Sequence, residues 1–458
     1  MAGTSVMWFR RDLRLSDNPA LAAAARHAGG GGRVAPVFCL DERLARPSGA
    51  ARQAFLHRCL RALDEAVDGR LLVRPGAPED VVPSIAREVG ADAVFAAEDF
   101  GPYGRARDDD VDKALRRHDI ALERVGSPYA VPPGEVVNQQ GDPYKVFTPF
   151  SRAWRDHGWP DPIGVPHQLA WVEVPGVRGD GIPRGPQVDA ELPEPGEAAA
   201  KRAARRFWDA HLDGYAVARD RPADDATSRL SPYLKWGCIH PRQLLSRLGH
   251  GEGHDRFRTE LAWREFYADV LWHRPDSVRR ALVPAMRAMR VDRGRHADRT
   301  FDAWAQGRTG YPIVDAGMRQ LLSEGWMHNR VRMIVASFLV KDLHLDWARG
   351  ARWFMGHLVD GDLASNQHGW QWVAGTGTDA APYFRVFNPT SQGERYDPAG
   401  DYVRRYVPEL RTVAGMAVHR PWQLAGGPPP GYPERIVDHA EEREESLRRY
   451  GAVRVAAN

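Results

Sequence analysis

The sequence predicts an α/β domain built on a doubly wound, Rossmann-like parallel sheet, followed by an all-α domain. Three observations predict this. Over residues 1–130, short apolar runs alternate with amphipathic stretches. Between 158 and 197, Pro and Gly crowd out regular elements. From 198 onward the apolar residues keep helical spacing with no sustained alternation. In order, VMWF (6–9), VAPVFCL (34–40), LLVRPG (71–76), DAVFAAED (92–99) and ALERVG (121–126) read as strands, with helices near 19–28, 51–67, 79–89 and 105–118 between them. Such alternation means a parallel sheet covered on both faces. Ligands in these sheets sit beyond the carboxyl ends of the strands, but no GxGxxG follows a strand, and GGGG at 29–32 follows an Ala-rich helix instead. A nicotinamide site in the sheet is therefore unsupported. The expected organisation is an α/β domain over 1–130, a long wrapping linker over 131–197, and a helical domain over 198–458 whose helices start at signals such as SPYL and HPRQLL.

Composition narrows the class. At 458 residues the chain exceeds what one core usually supports, and 43% hydrophobic with 27% charged residues suits a folded protein rather than a disordered one. A net charge of +3 neither requires nor excludes a nucleic-acid partner, because a local basic patch can hide in it. Cys39, Cys59 and Cys238 share no CxxC or Cys/His spacing, so neither a disulfide framework nor a zinc site is indicated. The start, MAGTSVMWFRRDLRL, has no apolar signal segment, and the longest clean apolar run, MIVASFLV at 333–340, is far short of a membrane span. A cytoplasmic, soluble monomer is expected.

Four stretches carry chemistry. DGDLASNQHGWQW (360–372) sets Asp360, Gly361, Asp362 and Asn366 beside Trp370 and Trp372. A calcium loop counted from Asp360 puts Gln371 at its twelfth position, where a bidentate carboxylate is needed, so metal is a weak reading. Polar groups beside indoles suit a large, flat, hydrogen-bonding ligand better. FRTELAWREFY (257–267) places Phe257, Glu260, Trp263, Arg264 and Tyr267 on one helical face, either as a core face with a Glu–Arg pair at its rim or as a cavity wall. WMHNRVRMIVASF (326–338) puts Asn329, Arg332 and Met333 on one face, with Arg330 turned about 100° away. DATSRLSPYLKWG (225–237) groups Thr227, Ser228, Arg229, Leu230 and Ser231 at a helix start, with Ser231 as N-cap and Pro232 next. Three hydroxyls and free N–H groups there also suit a diphosphate.

Together with YAVARDRPADDATSRLSPYLKWG, ELAWREFY, GRTGYPIVDAGMRQLLSEGWMHNRVRM and GTDAAPYFRVFNPTSQGERYD, these stretches make the chain resemble the photolyase/cryptochrome family, and within it the class I cyclobutane pyrimidine dimer photolyases, over nearly its whole length. The resemblance implies an FAD-binding helical domain and light-driven repair of cyclobutane pyrimidine dimers in UV-damaged DNA, by electron transfer from excited reduced FAD to a flipped-out dimer. It implies that Tyr215, Thr227, Ser228, Arg229, Leu230, Ser231, Phe257, Arg332, Asp360, Gly361, Asp362 and Asn366 surround FAD. Glu260, Trp263, Asn329, Met333 and Trp372 would hold the dimer, while Arg219, Arg264, Arg330, Arg385 and Gln392 would contact phosphates.

It also implies a relay of three tryptophans, of which Trp370 and Trp347 match the proximal and middle members, whereas the distal position falls on Gly294. Trp353 is a candidate substitute, though it faces a different side of its helix from Trp347. Asn329 and the LAWREF context disfavour the (6-4) subfamily, and the chain runs only a short way past HRPW, without the long extension of plant cryptochromes. The other reading is a blue-light-sensing, cryptochrome-like flavoprotein without repair activity. In EDFGPYGRARD, Tyr103 and Gly104 stand where folate-binding members carry Asn and Glu, which favours a deazaflavin or FMN over methenyltetrahydrofolate as antenna in the 1–130 domain.

Overall fold

The computed structural model describes residues 3–167, 169–173, 181–378 and 385–457. The N-terminal sheet contains β1 (Thr4–Phe9), β2 (Arg33–Leu40), β3 (Leu72–Pro75), β4 (Ala93–Ala96) and β5 (Ala121–Arg124), in the order β3-β2-β1-β4-β5 and parallel throughout. Val6 lies opposite Ala35 on one side and Val94 on the other. The two faces follow from the period-2 geometry of a strand. Met7, Phe9 and Phe38 pack with α1 (Pro19–Ala28) and, beyond the short α2 (Glu42–Ala45), with α3 (Ala50–Ala66). Val6, Trp8 and Val37 pack with α4 (Pro78–Glu88) and α5 (Pro102–Arg116). Asn18, accepting from the Leu21 N–H at 3.1 Å, caps α1.

Among the described residues, the expected linker carries, before a helix that begins at Gly196 near its end, the helix α6 (Phe147–His157), which buries Phe147, Phe150 and Trp154. Buried Glu265 ties it down: its carboxylate accepts from the Trp154 indole and the Ala130 N–H, both at 2.5 Å, and from the Val131 N–H at 3.1 Å. Pro and Gly density misses this helix because it lies before the Pro-rich part begins. The helices that follow are α7 (Gly196–Ala210), α8 (Tyr215–Ala218), α9 (Ser231–Trp236), α10 (Pro241–Leu245), α11 (Glu252–His273), α12 (Arg295–Ala305), α13 (Pro312–Glu324) and α14 (Asn329–Ser337). After them come α15 (Trp347–His357), α16 (Leu363–Ala374), α17 (Pro389–Tyr396), α18 (Asp401–Tyr406) and α19 (His439–Ala457).

They divide between two cores. Phe207, Tyr233, Phe257 and Phe266, from α7 to α11, share the core of the sheet and α3. Trp304, Phe338, Trp370 and Tyr402, from α12 to α18, build a separate one. Among the described residues no helix is long and apolar enough to cross a membrane.

Candidate active site

A cavity of about 480 Å³ lies where α11, α14 and α16 meet, between the two cores. Two of these helices, α14 and α16, start at side-chain caps. Asp362 caps α16 by accepting from the Ser365 N–H at 3.1 Å, and Gly375, with φ of 74°, ends that helix in the left-handed region. His328 caps α14 by accepting from the Arg330 N–H at 3.2 Å. The stretch before α9 is a strained loop, with Asp225 and Arg229 both at φ of 48°. The Arg229 guanidinium lies 4.3 Å from the Trp326 ring and donates to Glu324 at 2.9 Å.

The cavity brings together Glu260, Trp263, Asn329, Met333 and Trp372 with Tyr215, Thr227, Ser228, Arg229, Leu230, Ser231, Phe257, Arg332, Asp360, Gly361, Asp362, Asn366 and Trp370. Arg219, Arg264 and Arg330 also line it, whereas Trp347, Arg385 and Gln392 do not. Arg385 is exposed, and residues 379–384 of the GTDAAPYFR stretch lie outside the described residues.

Most of its charges are paired. Arg332 donates to Asp360 at 2.8 Å, and the Asp360 carboxylate is 3% exposed. Arg219 pairs with Glu260, whose carboxyl is pushed up by burial against the pull of that arginine. Arg330 pairs with Asp220 at 2.8 Å and lies over the Tyr396 ring. Arg11, from the loop after β1, pairs with Asp362 at 2.6 Å. Burial raises the Asp362 carboxyl, but Arg11, Lys235 and Arg264 outweigh it and hold the group below the usual range. Burial, with Arg11 nearby, brings the Lys235 ammonium down to about 7.

Three expectations change. Ser231 is not an N-cap: Leu230 occupies that position, and the Ser231 hydroxyl donates to Asp360 at 2.6 Å, because a buried carboxylate is a stronger acceptor for it than solvent. The partner of Glu260 is Arg219 and not Arg264, which turns inward to the carbonyls of Pro128 (3.2 Å) and Leu234 (3.3 Å) and sits over Tyr129. Arg264 thus starts from an inward position rather than from a phosphate rim. Trp263 is more than a wall of its own helix, since Phe147 stacks on it at 3.6 Å and 7° and covers one face.

Sequence reading missed Arg11, Phe147, Lys235 and Trp326 at this site. Arg11 stands in FRRDLRL, a basic run whose partner lies 351 positions away, and no local pattern announces such a contact.

The tryptophans divide as well. The Trp370 ring packs over Gly350, where an added Cβ would come within 2.2 Å of it, and it meets Trp304 edge-on at 6.1 Å. Trp347 sits one turn before Gly350 on α15 and lines a different cavity. Trp353 packs against Phe301 and His357.

The lining fits FAD on two counts. Thr227 Oγ1 and Asp360 Oδ1 are buried without a protein hydrogen-bond partner, so a polar ligand is needed to satisfy them. The cavity is also of ligand size and mixes aromatic walls with a few convergent polar groups.

Comparison with known proteins agrees with the cavity. Residues 257–452 match the family described as FAD binding domain of DNA photolyase, and residues 5–167 match DNA photolyase. The chain is 40% identical over 475 residues to the deoxyribodipyrimidine photo-lyase of Agrobacterium fabrum, covering 98% of each chain. It is 40% identical to that of Escherichia coli, covering 98% of this chain and 99% of the other. Among solved structures, it is similar to a bacterial class III photolyase from Agrobacterium tumefaciens (TM-score 0.92, 39% identity, 99% of this chain and 98% of that one). It is also similar to a Synechocystis cryptochrome (TM-score 0.88, 28% identity, 97% and 99%). The fold and site therefore define a flavin-binding protein whose cavity lies between a core shared by the sheet and α7 to α11 and a second core of α12 to α18. The chain belongs to the DNA photolyase/cryptochrome family.

Proposed function

We infer that the chain is a light-driven DNA-repair enzyme, a carbon–carbon lyase that splits cyclobutane pyrimidine dimers, with FAD as its cofactor. One observation carries this: Trp263, Trp372, Glu260, Asn329 and Met333 share a single cavity with the Arg332–Asp360 pair and Asn366. FAD, when bound, supplies an electron on illumination and takes it back once the ring has opened.

The residues of the chain bind and orient. Trp263, backed by Phe147, offers a rigid flat surface to an extruded base, and Trp372 a second one. Glu260, held by Arg219, and the Asn329 amide offer hydrogen bonds to the polar edge of the dimer. Both amide hydrogens of Asn366 are engaged, by Ala351 O at 3.1 Å and Gln367 Oε1 at 2.9 Å, so Asn366 presents its oxygen to the ligand. An acceptor there favours a ligand nitrogen that carries a proton. Arg332, Asp360 and Ser231 form the charged edge of the FAD site, and the Thr227–Ser231 loop a polar one. Trp370 and Trp347 are read as the relay that delivers electrons inward.

Further parts of the proposal concern the class, the antenna and the setting. The motif series supports class I, although one similar structure is that of a class III photolyase. A second chromophore, a deazaflavin or FMN rather than a folate, is proposed for the crevice beyond the strands, where Tyr103 donates to Asp41 and Arg107 lies over Trp8. A similar archaeal photolyase from Sulfolobus tokodaii carries two FAD molecules. The protein is read as a cytoplasmic monomer that binds UV-damaged DNA.

The test mixes chemically reduced holoprotein with UV-irradiated oligo(dT) under blue light. Recovery of thymine absorbance is expected. No recovery with fully reduced FAD bound moves the reading to a light sensor of the cryptochrome kind.

A further inference from the structure

A second cavity, of about 440 Å³, shares no lining residue with the first. Its floor includes buried Trp347 and Arg449, and its rim carries Arg279, Arg280, Arg290 and Arg293, all exposed. The charges here are not balanced. Arg449 pairs with Asp292 at 2.8 Å and Glu445 at 2.5 Å, Arg287 with Asp276 at 3.5 Å, and His344 with Glu442 at 2.6 Å. Among the described residues, Asp346 is the one carboxylate residue in the lining, and its side chain accepts from the Ala348 N–H as the cap of α15. Among the described residues, the four rim arginines have no carboxylate within ion-pair distance.

Four unpaired guanidiniums around a concave wall repel one another and raise the local concentration of anions. Their planar forks match phosphate oxygens two at a time. The indole on the floor, with Met286 and Met289 beside it, suits a flat ring. A floor with buried residues favours a small ligand over a polymer, which would track an open face.

The position of the cleft gives it a task. The Asp292 N–H donates to His344 O at 2.9 Å and holds the 292–294 segment against the turn that leads into Trp347. Gly294, next to Arg293, has φ of 85°, and an added Cβ there would meet nothing within 4 Å. A tryptophan at 294 would start in a conformation that L residues rarely adopt, so the chain has open space where a relay would need a ring.

We propose that this cleft docks a small phosphorylated electron donor with a flat ring, of the dihydronicotinamide nucleotide class, which re-reduces Trp347 directly. Recognition rests on guanidinium–phosphate pairing rather than on a glycine-rich strand turn. In the step, one electron passes from the donor to the Trp347 radical cation left when Trp347 has reduced Trp370. No bond in the protein forms or breaks, and the oxidised donor ring sheds its proton to solvent. The inference rests on the relay reading of Trp370 and Trp347.

The experiment uses oxidised holoprotein and the double variant Arg290→Glu/Arg293→Glu. In the dark, calorimetric titration with NADP⁺, which has the phosphates and flat ring but cannot donate, is expected to show one saturable site, weakened about tenfold or more in the variant. Under light, flavin reduction with NADPH is expected to slow by about the same factor, while the rate with neutral dithiothreitol stays roughly constant. Absence of saturable binding, equal binding by the variant, or saturation only by a single-stranded oligonucleotide overturns the proposal. Trp347→Phe separates the two levels. Loss of photoreduction with both donors keeps the relay, so that unchanged NADPH rates in the arginine variant then remove the docking site alone. Undiminished photoreduction in Trp347→Phe removes the relay and the donor proposal with it.

Discussion

The two cavities of this protein are both rich in arginine and pair it to different extents. In the FAD cavity Arg11, Arg219, Arg330 and Arg332 each meet a carboxylate, from Asp362, Glu260, Asp220 and Asp360. In the cleft at Trp347, Arg279, Arg280, Arg290 and Arg293 meet none among the described residues. Exposure explains the difference. Asp360 and Arg332 are 3% and 24% exposed, so neither charge can rely on water, whereas the rim arginines of the cleft stand in solvent and remain hydrated. Paired charges hold a site in one geometry before its ligand arrives; unpaired ones are free to turn toward an anion.

The largest expected effect breaks the pairing directly. Arg332→Ala leaves Asp360 buried and unpartnered on that side, a loss of about 3–5 kcal/mol by analogy with buried pairs stripped of one member. Thermal unfolding should show it as a lower Tm together with reduced flavin content per protein. Arg290→Ala, in the unpaired cleft, should stay within about 0.5 kcal/mol of the native protein. Comparable losses in the two variants would erase the contrast between the cavities.

A smaller effect separates their ligands. Trp263→Ala should weaken binding to dimer-containing DNA by about 1–3 kcal/mol, the worth of one aromatic–base stack, and leave affinity for undamaged DNA nearly constant, since phosphate contacts dominate it. Trp347→Phe should change neither. Equal losses of Trp263→Ala on both DNAs would reduce Trp263 to the packing partner of Phe147.

Acid should weaken the wall of the paired cavity. Burial brings the His328 imidazole down from 6.5 to about 3, so in the folded protein the ring stays neutral where the unfolded chain already takes up a proton. The stability this contributes is fully present above pH 6.5 and is lost as pH falls toward 3. Denaturation followed from neutral pH to about pH 4 should show that decline, and His328→Asn, which keeps an acceptor at the N-cap of α14, should flatten it. A His328→Asn profile as steep as that of the native protein would assign the acid sensitivity elsewhere.

The smallest effect lies at the rim. Asp220 is 37% exposed, so Asp220→Asn should cost at most about 1 kcal/mol through Arg330, less at high salt. A larger, salt-independent loss in urea denaturation would show that this pair behaves as a buried one.

Much of the fold was legible because it is written at short range. The apolar runs at 6–9, 34–40 and 71–76 coincide with β1, β2 and β3, since a strand covered on both faces needs continuous apolar residues. Phe257, Glu260, Trp263, Arg264 and Tyr267 share one cavity wall, as their helical spacing predicts. Ser231 was misread for the same reason: Ser-Pro at a helix start has a sufficient local explanation, and only the arrival of Asp360 from 129 positions away redirects its hydroxyl. Phe147 escaped notice because it sits in a segment read as linker, more than a hundred positions before the indole it backs.

The sequence by itself determined the order of elements, the parallel sheet, the helical second part and the residue types that line the cavity, because dihedral preference, capping and hydrophobic period act between near neighbours. Only the tertiary structure decided which charges find partners. Arg11 with Asp362, Arg219 with Glu260 and Arg332 with Asp360 are pairings across separate elements, and their energetics depend on how far packing has removed each group from water. It also decided that Trp370 packs over Gly350 while Trp347, one turn away on the same helix, faces a separate cleft ringed by arginines, for the direction of a side chain around a packed helix is set by what the helix packs against.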